Sequence, residues 1–393
     1  MKAPRIALLF NANKAFDRDV VAGIASYLRD ADVAWDLFLE EDFRLRLAGI
    51  ERWRGDGIIA DFDDPAVAEA LSRSSVPVVA VGGSYASEAG YPCDVPYVAT
   101  DNAAIVKLAH QHLAEAGLRR FAMFSQPPTG EHRWAQERES AFRGLMVRDR
   151  MEVEIFRGGG TSVAAWDESV RSLICWLHSL PKPIGIIAVA DARARQLLQA
   201  CAIAGIAVPE QVALVGIDND PLVRALGRIP LSSVIQGGQQ IGATAARLLD
   251  GMLHGAPPAE LRVLVPPAGV NAQASSRHQV VNHPQVMLAC HFIRQYACQG
   301  IRGQQVAAYV GVSRSSLETY FRQELGCSVH DVILRFKLEA AKIGLESGGA
   351  SMADVAQGCG FSSAQYMHLV FKRELGGTPR AYRSRALGEV EAA

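Results

Sequence analysis

At 393 residues the chain exceeds one ordinary domain and is long enough for two or three, each with its own core. Hydrophobic residues make up 49% and charged residues 21%, the balance of a folded globular protein, which excludes a bulk-disordered or collagen-like chain. The net charge of −1 excludes a uniformly basic chain but hides an asymmetry: from His283 onward there are 12 Lys and Arg against 9 Asp and Glu, about +3, leaving about −4 before it.

No apolar window reaches the ~20 residues of a membrane span, and Ile6–Phe10 is too short for a signal-peptide core. A cytoplasmic location with no membrane partner is therefore expected. The seven cysteines are scattered, without a C-x-x-C pair or zinc-type His spacing, and read as reduced thiols.

In chain order, β-branched runs alternate with amphipathic stretches over the first 270 residues, the rhythm of βαβ units in a doubly wound α/β fold. Strands are predicted at Arg5–Asn11, Trp35–Glu40, Gly57–Asp61, Pro77–Val81, Arg120–Phe124, Ile184–Ala190, Val212–Ile217 and Arg262–Val265. Helices are predicted at Asp19–Arg29, Asn102–Ala116, Trp134–Met146, Asp167–His178, Ala192–Ala204 and Gly238–His254. Ligands of such sheets bind beyond the carboxyl ends of the strands, and those ends are polar here: Asn11-Ala12-Asn13-Lys14, Asp61-Phe62-Asp63-Asp64, Gly82-Gly83-Ser84-Tyr85, Asp191-Ala192-Arg193 and Asp218-Asn219-Asp220. Asp61, Asp63 and Asp64 read more simply as a strand end and helix cap than as a metal site. Neither phosphate-binding glycine fingerprint is present, nor a G-x-S-x-G elbow or H-E-x-x-H, which disfavours a nucleotide-dependent enzyme or a hydrolase. No catalytic residue, metal or cofactor is expected.

The polar, proline-containing segment 271–284 then reads as a linker, 285–385 as an all-helical domain, and 386–393 as a tail. The helical domain holds a repeat offset by 49 residues. Val306–Ser313, then Arg314–Phe321 and Glu324-Leu325-Gly326, match Val355–Ser362, then Ser363–Phe371 and Glu374-Leu375-Gly376. Each copy predicts a short helix, a glycine turn, a serine cap and a second amphipathic helix, which is a helix-turn-helix. Leu317 and Phe321 in one copy, and Tyr366, Leu369 and Val370 in the other, are the expected core of the second helices. Facing outward are Arg314, Ser315, Ser316, Glu318 and Thr319 in the first, and Ser363, Gln365, His368 and Lys372 in the second; Arg and Gln suit bidentate base contacts, Ser and Thr bases or phosphates. Val332–Leu345 reads as one joining helix, a spacer able to hold the reading helices about one duplex turn, ~34 Å, apart. Two copies in register favour this over a helical assembly domain on a plain solute receptor.

The residues Cys359-Gly360-Phe361-Ser362-Ser363, Phe371-Lys372-Arg373 and Gly377-Thr378-Pro379-Arg380-Ala381-Tyr382-Arg383 closely resemble the AraC/XylS family of activators. That resemblance implies double-stranded promoter DNA, read at adjacent half-sites, and RNA polymerase as partners. The first 270 residues, through Thr100-Asp101-Asn102 and Val215-Gly216-Ile217-Asp218-Asn219, resemble the sugar-sensing core of LacI-type regulators and periplasmic sugar-binding proteins, a two-lobed type I fold. With Leu9–Ala15 and Ala188–Arg195 included, the whole arrangement resembles the xylose-responsive activators and implies a small-molecule sugar effector, D-xylose among the pentoses, and a homodimer.

A pentose presents a ring of hydroxyls, so its site needs carboxylates, guanidinium or amide groups and an aromatic face. The resemblance implies Asp218 and Asp191 as hydroxyl acceptors and Arg138 as a forked donor from the far lobe. From the near lobe it implies Asp101, Asn13 and Ser84, with Phe16 or Trp134 stacking on the ring. Other readings stand beside these: Asp101 as a helix cap, Trp134 as core, Arg138 paired with Glu137 or Glu139, and Arg133 as the donor instead.

Overall fold

The computed structural model describes residues 3–40, 45, 47–83, 94–127, 132–160, 162–258, 260–277, 283–346 and 349–386. The chain divides into two units, Met1–His278 and Gln279–Ala393.

In the first unit the order is β1 (Arg5–Leu9), α1 (Ala15–Asp30), β2 (Asp36–Leu39), β3 (Gly57–Asp61), α2 (Pro65–Leu71), β4 (Val78–Gly82), β5 (Tyr97–Thr100), α3 (Asn102–Glu115), β6 (Phe121–Phe124), α4 (Arg133–Arg148), β7 (Ile155–Phe156), α5 (Trp166–Ser179), β8 (Ile184–Ala188), α6 (Asp191–Ala204), β9 (Val212–Ile217), α7 (Pro221–Leu226), β10 (Ser232–Ile235), α8 (Gly238–Leu253), β11 (Arg262–Val265) and β12 (Gly269–Asn271). The strands form two sheets, β11-β5-β4-β3-β1-β2 and β12-β10-β9-β8-β6-β7. Every pairing is parallel except that of β10 with β12. Central strands such as Gly57–Asp61 and Val212–Ile217 are buried along their whole length, which is why they read as apolar runs rather than as alternation.

All eight predicted strands and six predicted helices form, their ends shifting by a few residues. Short β5, β7, β10 and β12 and helices α2 and α7 had no prediction; Ser232–Ile235, for example, opens on two serines and gains its place only through its neighbours. The chain crosses between the sheets three times, at Asp101, at Gln236–Gly237 and between Val265 and Gly269. These crossings are tied to one another: the Asp101 N–H donates to Val265 O (3.0 Å) and the Ala268 N–H to Ile235 O (2.9 Å).

Helices α1 and α8 pack unusually closely over the first sheet. A Cβ at Gly242 would lie 1.9 Å from Val20 O, and one at Gly23 would lie 2.0 Å from Gln239 O, so only glycine allows the approach.

The predicted linker needs correction. Residues 271–277 are part of the first unit: Asn271 ends β12, Leu214 N–H donates to Ser275 O (2.8 Å), and the buried Ser275 hydroxyl donates to Leu214 O (2.7 Å). This polar stretch looked like linker because the hydrogen-bond partners that hold it, at Ser232, Leu214 and His112, lie 41 or more residues away in sequence. The unit boundary falls within 278–282, outside the described residues.

The second unit is helical: α9 (Pro284–Tyr296), α10 (Gly303–Val310), α11 (Arg314–Leu325), α12 (Val329–Glu346), α13 (Met352–Gly358), α14 (Ala364–Leu375) and α15 (Pro379–Ala386). It has two cores. Val286, Ile293, Val306, Leu317 and Phe321 build one, and Val355, Phe361, Met367, Val370 and Phe371 the other. Leu369, expected inside, is 64% exposed, and Met367 takes the buried position instead. The reason is a one-residue offset: Ser363 rather than Ser362 caps α14, its hydroxyl accepting from Tyr366 N–H (3.1 Å).

Candidate functional site

A cavity of about 620 Å³ lies at the carboxyl ends of the strands of both sheets, lined by residues of Asn11–Asp17, by Asp63, Asp64 and Gly83, and by His132, Trp134, Arg138, Ala190, Ala192, Asp218, Asp220 and Gln236. This is where the doubly wound arrangement places a ligand, because loops leaving successive strands converge there. The volume is of small-molecule size.

Arg138 is the centre of the cavity's polar wall. Though it sits on a helix flanked by Glu137 and Glu139, it pairs by hydrogen bond with neither: Glu137 accepts from Asn102 Nδ2 (2.7 Å), and Glu139 is held by Arg157 through three contacts of 2.6–3.0 Å. Its buried guanidinium donates to Asn102 Oδ1 (2.9 Å), Val189 O (2.5 Å) and Gln236 Oε1 (2.8 Å), and lies 4.7 Å from the Trp134 ring centre. The Gln236 amide in turn donates to Asp218 Oδ1. Burial pulls the Arg138 pKa down, opposed chiefly by Asp218. Burial likewise pushes Asp218 up, to about 6, while Arg138 holds it back. Near neutral pH the cavity therefore presents a carboxylate acceptor beside a forked donor, with an aromatic ring against the donor.

The sequence-predicted residues separate on this geometry. Asn13, Phe16, Trp134, Arg138 and Asp218 line the cavity. Asp101 and Asp191 are not among the lining residues. Asp101 caps α3, accepting from Ala104 N–H (2.8 Å). Asp191, fully buried, accepts from the Ser233 hydroxyl (2.7 Å) and from Asp220 N–H (2.8 Å), and holds the loop that presents Asp218 and Asp220. Burial first, and then Asp218, drives its pKa well above the usual carboxylate range. Ser84 lies outside the described residues. Arg133, the rival donor, reaches the Phe62 carbonyl (3.1 Å) and does not line the cavity.

Asp61 ends its strand and Asp64 caps its helix as the sequence predicts, but the long-range partners of this charged wall had no prediction. Lys14 makes a 2.8 Å ion pair with buried Asp61, Asp63 accepts from Gly83 N–H (2.7 Å), and Asp64 caps α2 through Ala66 N–H (2.9 Å). Across the cleft Arg18 meets Asp220 at 3.2 Å. Gln236 was missed because it follows the short β10 strand, itself unpredicted.

In the second unit both copies fold as helix-turn-helix, with Gly311 and Gly360 in the left-handed region at φ 73° and 74°. The reading helices are α11 and α14. Arg314, Ser315, Thr319, Gln365, His368 and Lys372 are exposed on them. Glu318 is engaged elsewhere, its carboxylate accepting from Val329 N–H (3.2 Å) at the start of α12, and the Ser316 hydroxyl is paired with that of the cap residue Ser313 (2.8 Å).

Three family models match along the chain: a XylR N-terminal domain over residues 5–103, a periplasmic binding protein-like domain over 110–276 and a helix-turn-helix domain over 306–385. The chain is 46% identical over 382 residues to the xylose operon regulatory protein of Escherichia coli, covering 97% of each chain, and 42% identical to that of Haemophilus influenzae, covering 96% and 98%. A solved structure of a xylose-binding transcription activator matches with a TM-score of 0.87 at 44% identity, over 98% of this chain and 99% of that one. Matched in both units and over nearly its whole length, the chain belongs to the family of xylose operon regulatory proteins.

Proposed function

We propose that this chain is a xylose-responsive transcription activator, in which D-xylose bound in the cavity of the first unit governs how the two helix-turn-helix copies engage promoter DNA. The observation that carries the reading is the hydrogen-bonded chain Asn102–Arg138–Gln236–Asp218, which joins four separate elements and brings Arg138, Gln236 and Asp218 to the cavity wall, with Asn102 holding Arg138. Asp218 accepts from a sugar hydroxyl, Arg138 and Asn13 donate, and Trp134 or Phe16 covers the apolar face of the ring. Two of these elements start or end at the crossings between the sheets, so a ligand held there acts where the lobes are joined. To move a 1:10 ratio of forms to 10:1, the sugar must bind one form about a hundredfold better.

The reading also assigns the chain a regulatory rather than an enzymatic role, a homodimeric state, RNA polymerase as a partner and the cytoplasm as its place of action. Calorimetry against a panel of pentoses and hexoses tests it, paired with operator binding with and without sugar. D-xylose should bind best, and Asp218→Asn or Arg138→Lys should each weaken it by ~10–100-fold, the worth of a hydrogen bond to a charged group. Xylose binding with unchanged operator affinity and transcription, or no binding of any pentose, defeats the proposal.

A further inference from the structure

The two helix-turn-helix copies repeat the same order of elements, yet their turn glycines have different surroundings. Gly311 and Gly360 share the same left-handed backbone, at φ 73° and 74°. A Cβ at Gly311 would meet nothing within 4 Å. At Gly360 it would lie 2.6 Å from the Cys298 carbonyl oxygen and 2.9 Å from that of Ala297, backbone atoms of the turn that follows α9. That turn precedes the first copy and shares its core through Ala297, so the turn of the second copy is seated on main chain that packs with the first. The same turn is also held by a side chain: the half-buried Lys337 amine, midway along α12, donates to Gly360 O at 2.6 Å.

Helix α12 belongs to both copies at once. Val329, Val332 and Ile333 enter the first core, while Leu334, Leu338, Ala341 and Leu345 enter the second. On the same helix Phe336 packs against the first core, and the Arg294 guanidinium lies 5.0 Å from its ring centre. A shared helix alone leaves the two cores linked only through its own bending and twisting. The Gly360 seat adds a direct contact between the two halves away from α12, and the Lys337 bond anchors that seat to α12, so both oppose such bending and twisting.

We propose that Gly360 and Lys337 are positioning residues that fix the relative orientation of reading helices α11 and α14, and so make the protein select one spacing between the two DNA segments it reads. The inference rests on the DNA-binding reading above, and its test has one arm that does not need DNA.

The test uses the full chain as wild type, Gly360→Ala, Lys337→Met and Gly311→Ala. The last variant carries the same left-handed alanine strain without touching the seat. A duplex selected from a random pool by the wild type is compared with the same duplex carrying one inserted base pair between the two contacted segments. Wild type and Gly311→Ala should lose ~30-fold or more on insertion, whereas Gly360→Ala and Lys337→Met should bind the selected duplex more weakly and lose less than ~5-fold, the range set by 1–3 kcal/mol per misplaced contact. In parallel, dyes on encoded non-natural residues at positions of Gln323 and Glu374 report the distance between the helices without DNA. A single narrow distribution in wild type and Gly311→Ala, broadened in the other two, supports the proposal. An equal insertion penalty in all four proteins, or identical distance distributions, overturns it. Failure of the wild type to select any duplex would defeat the DNA-binding reading, while the distance measurement would still judge the junction.

Discussion

Identical residue types at equivalent strand ends take different tasks according to what their neighbours offer. Asp191 and Asp218 both follow apolar strands, but Asp191 is met by a hydroxyl and a backbone N–H, so it builds the loop, whereas Asp218 meets a side-chain amide and faces the cavity. Asp17 is a third case. It is fully buried, accepts from Asn11 N–H (2.6 Å) through Oδ2, and its Oδ1 has no partner among the described residues. Burial and then Asp61 push its pKa to about 8, with Lys14 and Asn11 opposing. A carboxyl raised on folding binds its proton more tightly in the native than in the unfolded state, so stability falls as pH rises from the ordinary carboxylate value toward 8. The first unit should therefore lose up to ~1.4 kcal/mol per pH unit between pH 7 and 8, a window above the value of Asp218. Asp17→Asn keeps an acceptor for Asn11 and should reduce that slope, leaving the part that Asp191 contributes; a melting series showing the same slope in both proteins refutes the assignment.

Among elements, the reading helices offer the cleanest separation of the two halves of the function. Arg314 and Gln365 are exposed near the amino ends of α11 and α14, on cores built by Leu317 and Phe321 in one and by Met367, Val370 and Phe371 in the other. Arg314→Ala and Gln365→Ala should each lower operator affinity by ~5–100-fold, the worth of a bidentate base contact, and leave xylose affinity unchanged. Gel shift and calorimetry on the same preparations check both halves. If DNA affinity holds in the double variant, these helices do not read bases. The periodicity of α11 and α14 was legible in the sequence because a 3.6-residue repeat marks it; the one-residue change of cap that exposes Leu369 was not, since Ser362 and Ser363 are equally good caps on paper.

For the whole molecule, the separate cores of the two units predict separate cooperative transitions. A ligand bound only by the native first unit stabilises it by RT ln(1 + [L]/Kd), ~2.7 kcal/mol at a hundred times Kd. For a unit of this size that shifts the midpoint by roughly 4–5 °C. Scanning calorimetry with saturating D-xylose should move one transition by that amount and leave the other in place. Equal movement of both, or of neither, would remove the sugar from the first unit.

What the amino-acid order determined by itself was everything carried by local periodicity. It marked the alternation of strand and helix, the 49-residue repeat, the turn glycines and the Ser313 cap, and the carboxyl-terminal strand ends around which the cavity forms. Only the tertiary structure decided which polar side chains those ends present to the cavity. Arg138 turns from its own helix neighbours to Asn102 and Gln236, Lys14 finds Asp61 47 positions away, and Ser275 locks a supposed linker to Leu214. The physical reason is that a buried polar group must find its partner wherever the folded chain brings one, and long-range partnership leaves no periodic trace in sequence.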